Sequence, residues 1–76
     1  MAAKAFVLIE AEPAKAKQIV NTLKQQDGIK SINAVTGPYD IIAVVEKESL
    51  AEIGELITSK IQAVPGISRT VTCLVI

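Results

Sequence analysis

The apolar positions along the chain predict four β-strands. The segments Ala5–Ile9 and Ile41–Val45 contain no polar residue, which is typical of buried strands. Ile29–Thr36 alternates weakly between apolar and polar positions, as an edge strand does. A last strand is predicted over Ile67–Ile76, and it becomes wholly apolar from Cys73.

Two helices are predicted between these strands. Pro13 suits the first turn of the first helix, and Asp27-Gly28 ends it, since glycine readily adopts the left-handed cap conformation. Ser49 and Glu52 form a capping box that starts the second helix, and Pro65-Gly66 ends it. The apolar positions at helical spacing are Ala16, Ile19, Val20 and Leu23, and then Leu50, Ile53, Ile57, Ile61 and Val64.

The two halves of the chain repeat each other. Gly28-Ile29 recurs as Gly66-Ile67, and the same offset aligns Val7 with Val45. Each half is therefore strand, helix, Gly-Ile and strand, and two such units form a ferredoxin-like βαββαβ sandwich of the α+β class. We expect one domain over residues 1–76, with an antiparallel four-stranded sheet and two helices on one face. The first and third strands, which are the most apolar, should be central.

Two helices cover only one face of such a sheet. A face open to water should carry a polar residue at every second position, but the first and third strands carry none. An apolar patch of this size marks an interface, so we expect a second copy of the chain to cover it. The alternative is a fold-back of terminal residues, which are too few.

The composition argues against several classes of function. Eight basic and eight acidic residues, one Phe, one Tyr and no Trp provide neither a basic face nor a stacking platform for nucleic acid. With no histidine, a serine triad is excluded, and we predict no enzyme, no catalytic residue, no metal site and no cofactor. The single cysteine, Cys73, is predicted to be a buried core thiol. No targeting segment or membrane-length apolar run is evident, so a cytoplasmic protein is expected.

The candidate chemistry lies in the loop Thr36–Asp40. Gly37 leaves backbone N–H groups accessible to a ligand carboxylate, Asp40 offers an acceptor for an ammonium group, and Tyr39 adds a ring and a hydroxyl. The alternative is structural, because Gly-Pro-Tyr-Asp is also good turn chemistry in which the aspartate only braces the loop. Composition alone favours that alternative. For Arg69, an exposed edge-strand charge and a contact with ligand or partner stay equally open.

Two motifs resemble those of a known family. Val35-Thr36-Gly37-Pro38-Tyr39-Asp40, followed by an apolar strand, is similar to the V-T-G-x-Y-D signature of the effector domain of Lrp/AsnC regulators. Val64-Pro65-Gly66-Ile67, which continues into Arg69-Thr70-Val71-Thr72, resembles the family's L-P-G-V-x-R-T-x-T pattern. The resemblance covers about residues 4–76.

The resemblance implies a RAM domain, a ferredoxin-like fold that pairs sheet to sheet as a homodimer. Such dimers commonly assemble into an octamer of four dimers and bind small effectors, usually amino acids, between dimers. Asp40 would then contact the ammonium group of the effector. The ligand-binding residues that the resemblance implies are Thr36, Gly37, Pro38, Tyr39, Asp40, Thr70 and Thr72.

We expect no helix-turn-helix of the kind found in full-length regulators, because the first strand is predicted to begin within five residues of Met1. We therefore expect a stand-alone domain that contacts neither DNA nor membrane and that modulates transcription or senses metabolites. The alternative is an adaptor that co-assembles with full-length Lrp/AsnC regulators without binding a ligand. A small enzyme on the same scaffold ranks last. An ACT domain is disfavoured, because Ile9–Pro13 holds Glu-Ala-Glu-Pro instead of a glycine-rich turn.

Overall fold

The computed structural model describes residues 2–76 and contains the predicted elements in the predicted order. The strands are β1 (Ala3–Ala11), β2 (Ile29–Ala34), β3 (Ile41–Lys47) and β4 (Ile67–Leu74). Helix α1 (Ala16–Leu23) follows a 3-10 turn at Pro13–Lys15, and helix α2 (Leu50–Leu56) continues into a π-helical turn at Ile57–Ile61. The predicted α+β, βαββαβ fold is confirmed.

The four strands form one antiparallel sheet in the order β2-β3-β1-β4. The central position of the first and third strands is confirmed. Val7 of β1 lies opposite Ala43 of β3 on one side and opposite Thr72 of β4 on the other. A strand with neighbours on both sides is shielded from water along its edges, which explains why the two most apolar segments occupy the centre.

One face of the sheet packs against both helices and forms the core. Alternate residues of β1 that point to this face, Ala5, Val7 and Ile9, are completely buried. Residues of one face recur at every second position of a strand, and β3 follows the same rule. The other core side chains include Ile41, Ala43 and Val45 of β3, Ile19 and Leu23 of α1, and Ile53, Leu56, Ile57 and Ile61 of the α2 region.

No helix among residues 2–76 covers the other face of the sheet, which we call the open face. Its apolar members come from three strands and lie side by side in the register: Phe6, Leu8, Ile42, Val44, Val71 and Cys73. Phe6 is 41% exposed, and the Lys4 ammonium lies 5.9 Å from its ring centroid. The open face is therefore apolar at its centre, as the uninterrupted apolar strands predict.

The prediction that Cys73 is a core thiol is wrong. Cys73 is exposed, because it lies opposite Phe6 on the open face of an edge strand. The apolar residues around it in the sequence alternate between the two faces of the sheet, and only one of those faces packs against helices.

The helix ends follow local sequence signals. The Ser49 hydroxyl accepts a hydrogen bond from the Glu52 backbone N–H and donates one to Glu52 Oε2, both at 3.2 Å, so the predicted start of the second helix at Ser49 is confirmed. Gly28 and Gly66 follow the two helices with φ values of 97° and 100°, which matches the repeat. Helix α1 ends at Leu23, earlier than Asp27-Gly28 predicts, since the residues after Leu23 add no further buried apolar position. None of the helices in residues 2–76 is long and apolar enough to cross a membrane.

Candidate functional site

The loop that joins β2 to β3 is closed by a backbone hydrogen bond. The Val35 N–H donates to the Asp40 carbonyl at 2.9 Å. Gly37 lies inside this turn with a φ of 127°, and a Cβ atom there would meet nothing within 4 Å. Glycine is therefore favoured at this position by its backbone conformation and not by lack of space. Thr36, Gly37 and Pro38 are exposed, whereas Tyr39 is half-buried.

Asp40 fastens this loop to the end of β1. Its backbone N–H donates to the Ile9 carbonyl at 2.9 Å, and its Oδ2 accepts from the Ala11 N–H at 2.8 Å. The pairing of β1 with β4 shifts register between Glu10 and Ala11, and the carboxylate satisfies the Ala11 donor there. The bracing role of Asp40 is thus observed. Its Oδ1 accepts no hydrogen bond from residues 2–76 and is free to accept one from a ligand.

Thr70 lies at the same end of the sheet as the loop. It is opposite Ile9, the residue whose carbonyl binds the Asp40 N–H, so β1 separates Thr70 from Ile41, the residue after Asp40. Two strand spacings make this separation roughly 10 Å. The half-buried Thr70 side chain points to the helix face, where its Oγ1 accepts a hydrogen bond from Gln62 Nε2 at 2.9 Å.

The other two β4 candidates differ from Thr70 in position or in face. Thr72 is opposite Val7, two residues further along β4, and it is exposed. Arg69 is on the open face opposite Glu10, and its Nη1 lies 3.3 Å from Glu10 Oε2. Both partners are solvent-accessible, so this ion pair contributes little to stability. Its position puts the only arginine of the chain at the rim of the open face.

A surface groove of about 390 Å³ lies at the opposite end of the sheet. Lys47, at the end of β3, crosses it and binds Asp27 with an Nζ–Oδ2 distance of 3.0 Å. Hydrogen bonding and charge attraction from Lys47 hold the pKa of Asp27 below its usual value. Sequence reasoning did not single out this groove, whose lining residues are Gln26, Asp27, Lys47, Glu52, Glu55, Leu56, Ser59 and Lys60.

The sequence model of the Lrp/AsnC ligand binding domain matches residues 4–76. The chain belongs to the Lrp/AsnC ligand-binding domain family. The match confirms the resemblance found in the Thr36–Asp40 loop and in the segment from Val64 to Thr72.

Relatives of this Lrp/AsnC domain are transcriptional regulators. An uncharacterized helix-turn-helix-type transcriptional regulator of Pyrococcus horikoshii is 36% identical over 70 residues, which cover 92% of this chain and 44% of that regulator. The Lrp/AsnC domain therefore spans about half the length of the curated relatives that it matches. The similarity supports a regulatory domain and leaves the rest of those regulators unmatched.

Solved structures confirm the ferredoxin-like fold of this Lrp/AsnC domain. The hypothetical protein PHS023 of Pyrococcus horikoshii is 32% identical, with a TM-score of 0.91 over 100% of this chain and 90% of that one. A transcriptional regulator of Neisseria meningitidis, solved as a complex with L-Met, has a TM-score of 0.86 at 14% identity, over 97% of this chain and 49% of that one. At that identity the similarity shows a shared fold.

Proposed function

We propose that this Lrp/AsnC domain pairs sheet to sheet as a homodimer and binds a free amino acid or similar small effector at the Thr36–Asp40 loop. Binding would modulate transcription or report on a metabolite. The observation that carries the proposal is the uncovered apolar face of the sheet, because a chain that hides this face must assemble. The role is binding and not catalysis, since the relatives are transcriptional regulators.

The open face has the layout of an interface between two copies of the chain. Its centre is apolar, with Phe6 and Val44 directly opposite each other. Charged residues lie at its ends, where Lys4 faces Glu46 and Glu10 pairs with Arg69. An apolar centre with a polar rim is how protein interfaces are organised.

The loop supplies groups that suit a free amino acid. Asp40 Oδ1 is open to an ammonium group, and the exposed Gly37 leaves backbone N–H groups accessible. Small-molecule sites enclose most of their ligand, whereas Thr36, Gly37 and Pro38 are exposed in this chain. We propose that a neighbouring dimer supplies the missing walls, up to the octamer of four dimers. A regulator with this fold was solved with L-Met, which supports an amino acid as the ligand class.

The assembly half of the proposal is tested by a charge on the open face. Val44→Asp places a carboxylate among apolar side chains, so the purified variant should run as a monomer in light scattering and native mass spectrometry. The wild type should be a dimer or larger. Asn21→Asp adds the same charge at an exposed position of α1 and should leave the assembly unchanged. A monomeric wild type would refute sheet-to-sheet pairing.

The ligand half is tested by calorimetry of the wild type against the twenty amino acids. At least one should bind at millimolar concentration or tighter, and the folded Val44→Asp monomer should not bind it. If none of the twenty amino acids binds, the sensor role is refuted. If the folded Val44→Asp monomer still binds the amino acid, the site is not built by assembly. That the domain acts without its own DNA-binding segment stays a prediction, which the mass of the protein purified from its source would check.

A further inference from the structure

The residue that contacts Thr70 is placed by an irregular turn. The Gln62 N–H donates to the Ile57 carbonyl at 2.8 Å, five residues back, where a regular α-helix would bond to the fourth. The turn therefore contains one residue more than an α-helical turn, which changes the direction in which the side chains after it point. Ile61 stays completely buried. As a result, the Gln62 side chain reaches the edge strand β4 and its Nε2 donates to Thr70 Oγ1. Such π-turns occur frequently at functional sites.

This hydrogen bond gives the Thr70 hydroxyl a defined polarity. A hydroxyl has one proton to donate and two lone pairs, and the amide nitrogen of Gln62 can only donate. Gln62 Nε2 thus occupies one lone pair of Thr70 Oγ1, and the hydroxyl of Thr70 cannot donate its proton to that nitrogen. No group among residues 2–76 accepts the Thr70 proton. Thr70 therefore presents a hydrogen-bond donor to its surroundings.

Donor and acceptor lie on the two sides of β1. Asp40, held at the Ile9 carbonyl, presents the carboxylate oxygen Oδ1, and Thr70, opposite Ile9 on β4, presents its hydroxyl proton. A free α-amino acid has the complementary polarity, since its ammonium group donates and its carboxylate accepts. A ligand that contacts both groups would have to turn its carboxylate towards Thr70 and its ammonium towards Asp40.

We propose that Gln62 is a positioning residue that makes Thr70 a donor to the carboxylate of the ligand. The inference rests on the proposed function and adds to it the orientation of the ligand and the reason for selecting a carboxylate. Gln62 itself does not contact the ligand in this arrangement. Its effect should therefore appear in the preference for a carboxylate over an uncharged amide and not only in overall affinity.

The test compares the tightest binder among the twenty L-amino acids with its α-carboxamide, by calorimetry. Because charged groups form the stronger hydrogen bonds, the wild type should prefer the carboxylate by roughly tenfold to a hundredfold. In Gln62→Glu the new carboxylate accepts the Thr70 proton, so the preference should fall to about threefold or less, or reverse. Thr70→Val, which lacks the hydroxyl, should lose most of the preference as well.

Two variants separate polarity from charge. Ala63→Glu adds the same charge at the next position, which is exposed, and should keep the wild-type preference. Gln62→Leu removes the donor without adding charge and should reduce the preference partially. Both Gln62 variants should fold, because the side chain is exposed, and their melting temperatures verify this.

The outcomes distinguish this inference from the function on which it rests. If the wild type binds an amino acid and Gln62→Glu keeps the full preference for the carboxylate, the role of Gln62 is overturned while the proposed function stands. An equal loss of preference in Ala63→Glu also overturns it, because charge alone would then explain the effect. If no amino acid binds to the wild type, the proposed function falls and this inference falls with it.

Discussion

Replacing Asp40 by Asn and by Ala separates its observed bracing role from its proposed ligand contact. Asp40→Ala removes the oxygen that accepts the Ala11 N–H at 2.8 Å, so this backbone donor is left without its partner. Asp40→Asn keeps a side-chain oxygen that can accept the same hydrogen bond and removes only the negative charge. The two variants should therefore differ in stability and agree in their loss of amino-acid affinity.

The size of the stability change follows from the hydrogen bond. An unsatisfied buried donor costs about 1–3 kcal/mol, and this range applies to Asp40→Ala because Ala11, which carries the donor, is buried. In a domain of this size each kcal/mol lowers the melting temperature by about 4–8 °C. Asp40→Asn retains a neutral hydrogen bond and should lose about 1 kcal/mol or less.

Two assays on the same samples complete the test. Urea unfolding is measured at one fixed protein concentration, because assembly makes stability depend on concentration. Calorimetry with the tightest-binding amino acid should show at least about tenfold weaker binding to Asp40→Asn, which lacks the charge that faces the ammonium group. Glu48→Gln removes an exposed carboxylate elsewhere and should change neither property.

Each half of this reasoning has its own refutation. If Asp40→Ala unfolds within about 0.5 kcal/mol of the wild type, the Ala11 hydrogen bond does not brace the fold. If Asp40→Asn binds the amino acid as tightly as the wild type, Asp40 does not contact the ammonium group.

Two further predictions concern the core and one surface ion pair. Ile19→Ala empties a completely buried site and should lower the free energy of unfolding by about 2–5 kcal/mol. Leu50→Ala, at a side chain that is 56% exposed, should change it by no more than about 0.5 kcal/mol. If urea unfolding shows equal effects for the two variants, the observed packing of Ile19 is contradicted. Lys47 lowers the pKa of Asp27 from its usual 3.8, so the pair stabilises the folded chain above that pH and the stabilisation is lost as the pH falls through the lowered pKa. In Lys47→Met the Asp27 pKa should rise towards 3.8 in an NMR titration, and a pKa unchanged from the wild type would contradict the pairing.

Local signals along the chain are enough to predict the order of the elements and the family. Ser49 caps α2 through a residue three positions away, and Gly28 and Gly66 turn the chain after the helices through their own positive φ values. These signals are local, so no knowledge of distant contacts is needed to read them. The Thr36–Asp40 motif likewise identified the family, because its residues are consecutive.

Which face of the sheet is open depends on how the helices pack and is not evident from the order of the residues. Every position of the central apolar segments is apolar, so the alternation that normally distinguishes the faces is absent there, and the sequence does not show whether Val7 or Val44 lies on the open face. Packing of the helices buries Val7 completely and leaves Val44 and Cys73 on the other side.

The contacts of the site also required the fold. Asp40 reaches Ala11 across 29 positions of sequence, and Gln62 reaches Thr70 only because a π-turn redirects it. Neither the register between strands nor the pitch of one helical turn is encoded in the spacing of apolar residues. The sequence therefore named the groups that could bind a ligand. The pairing of strands decided that Asp40 Oδ2 is already used and that the hydroxyl proton of Thr70 has no acceptor among residues 2–76.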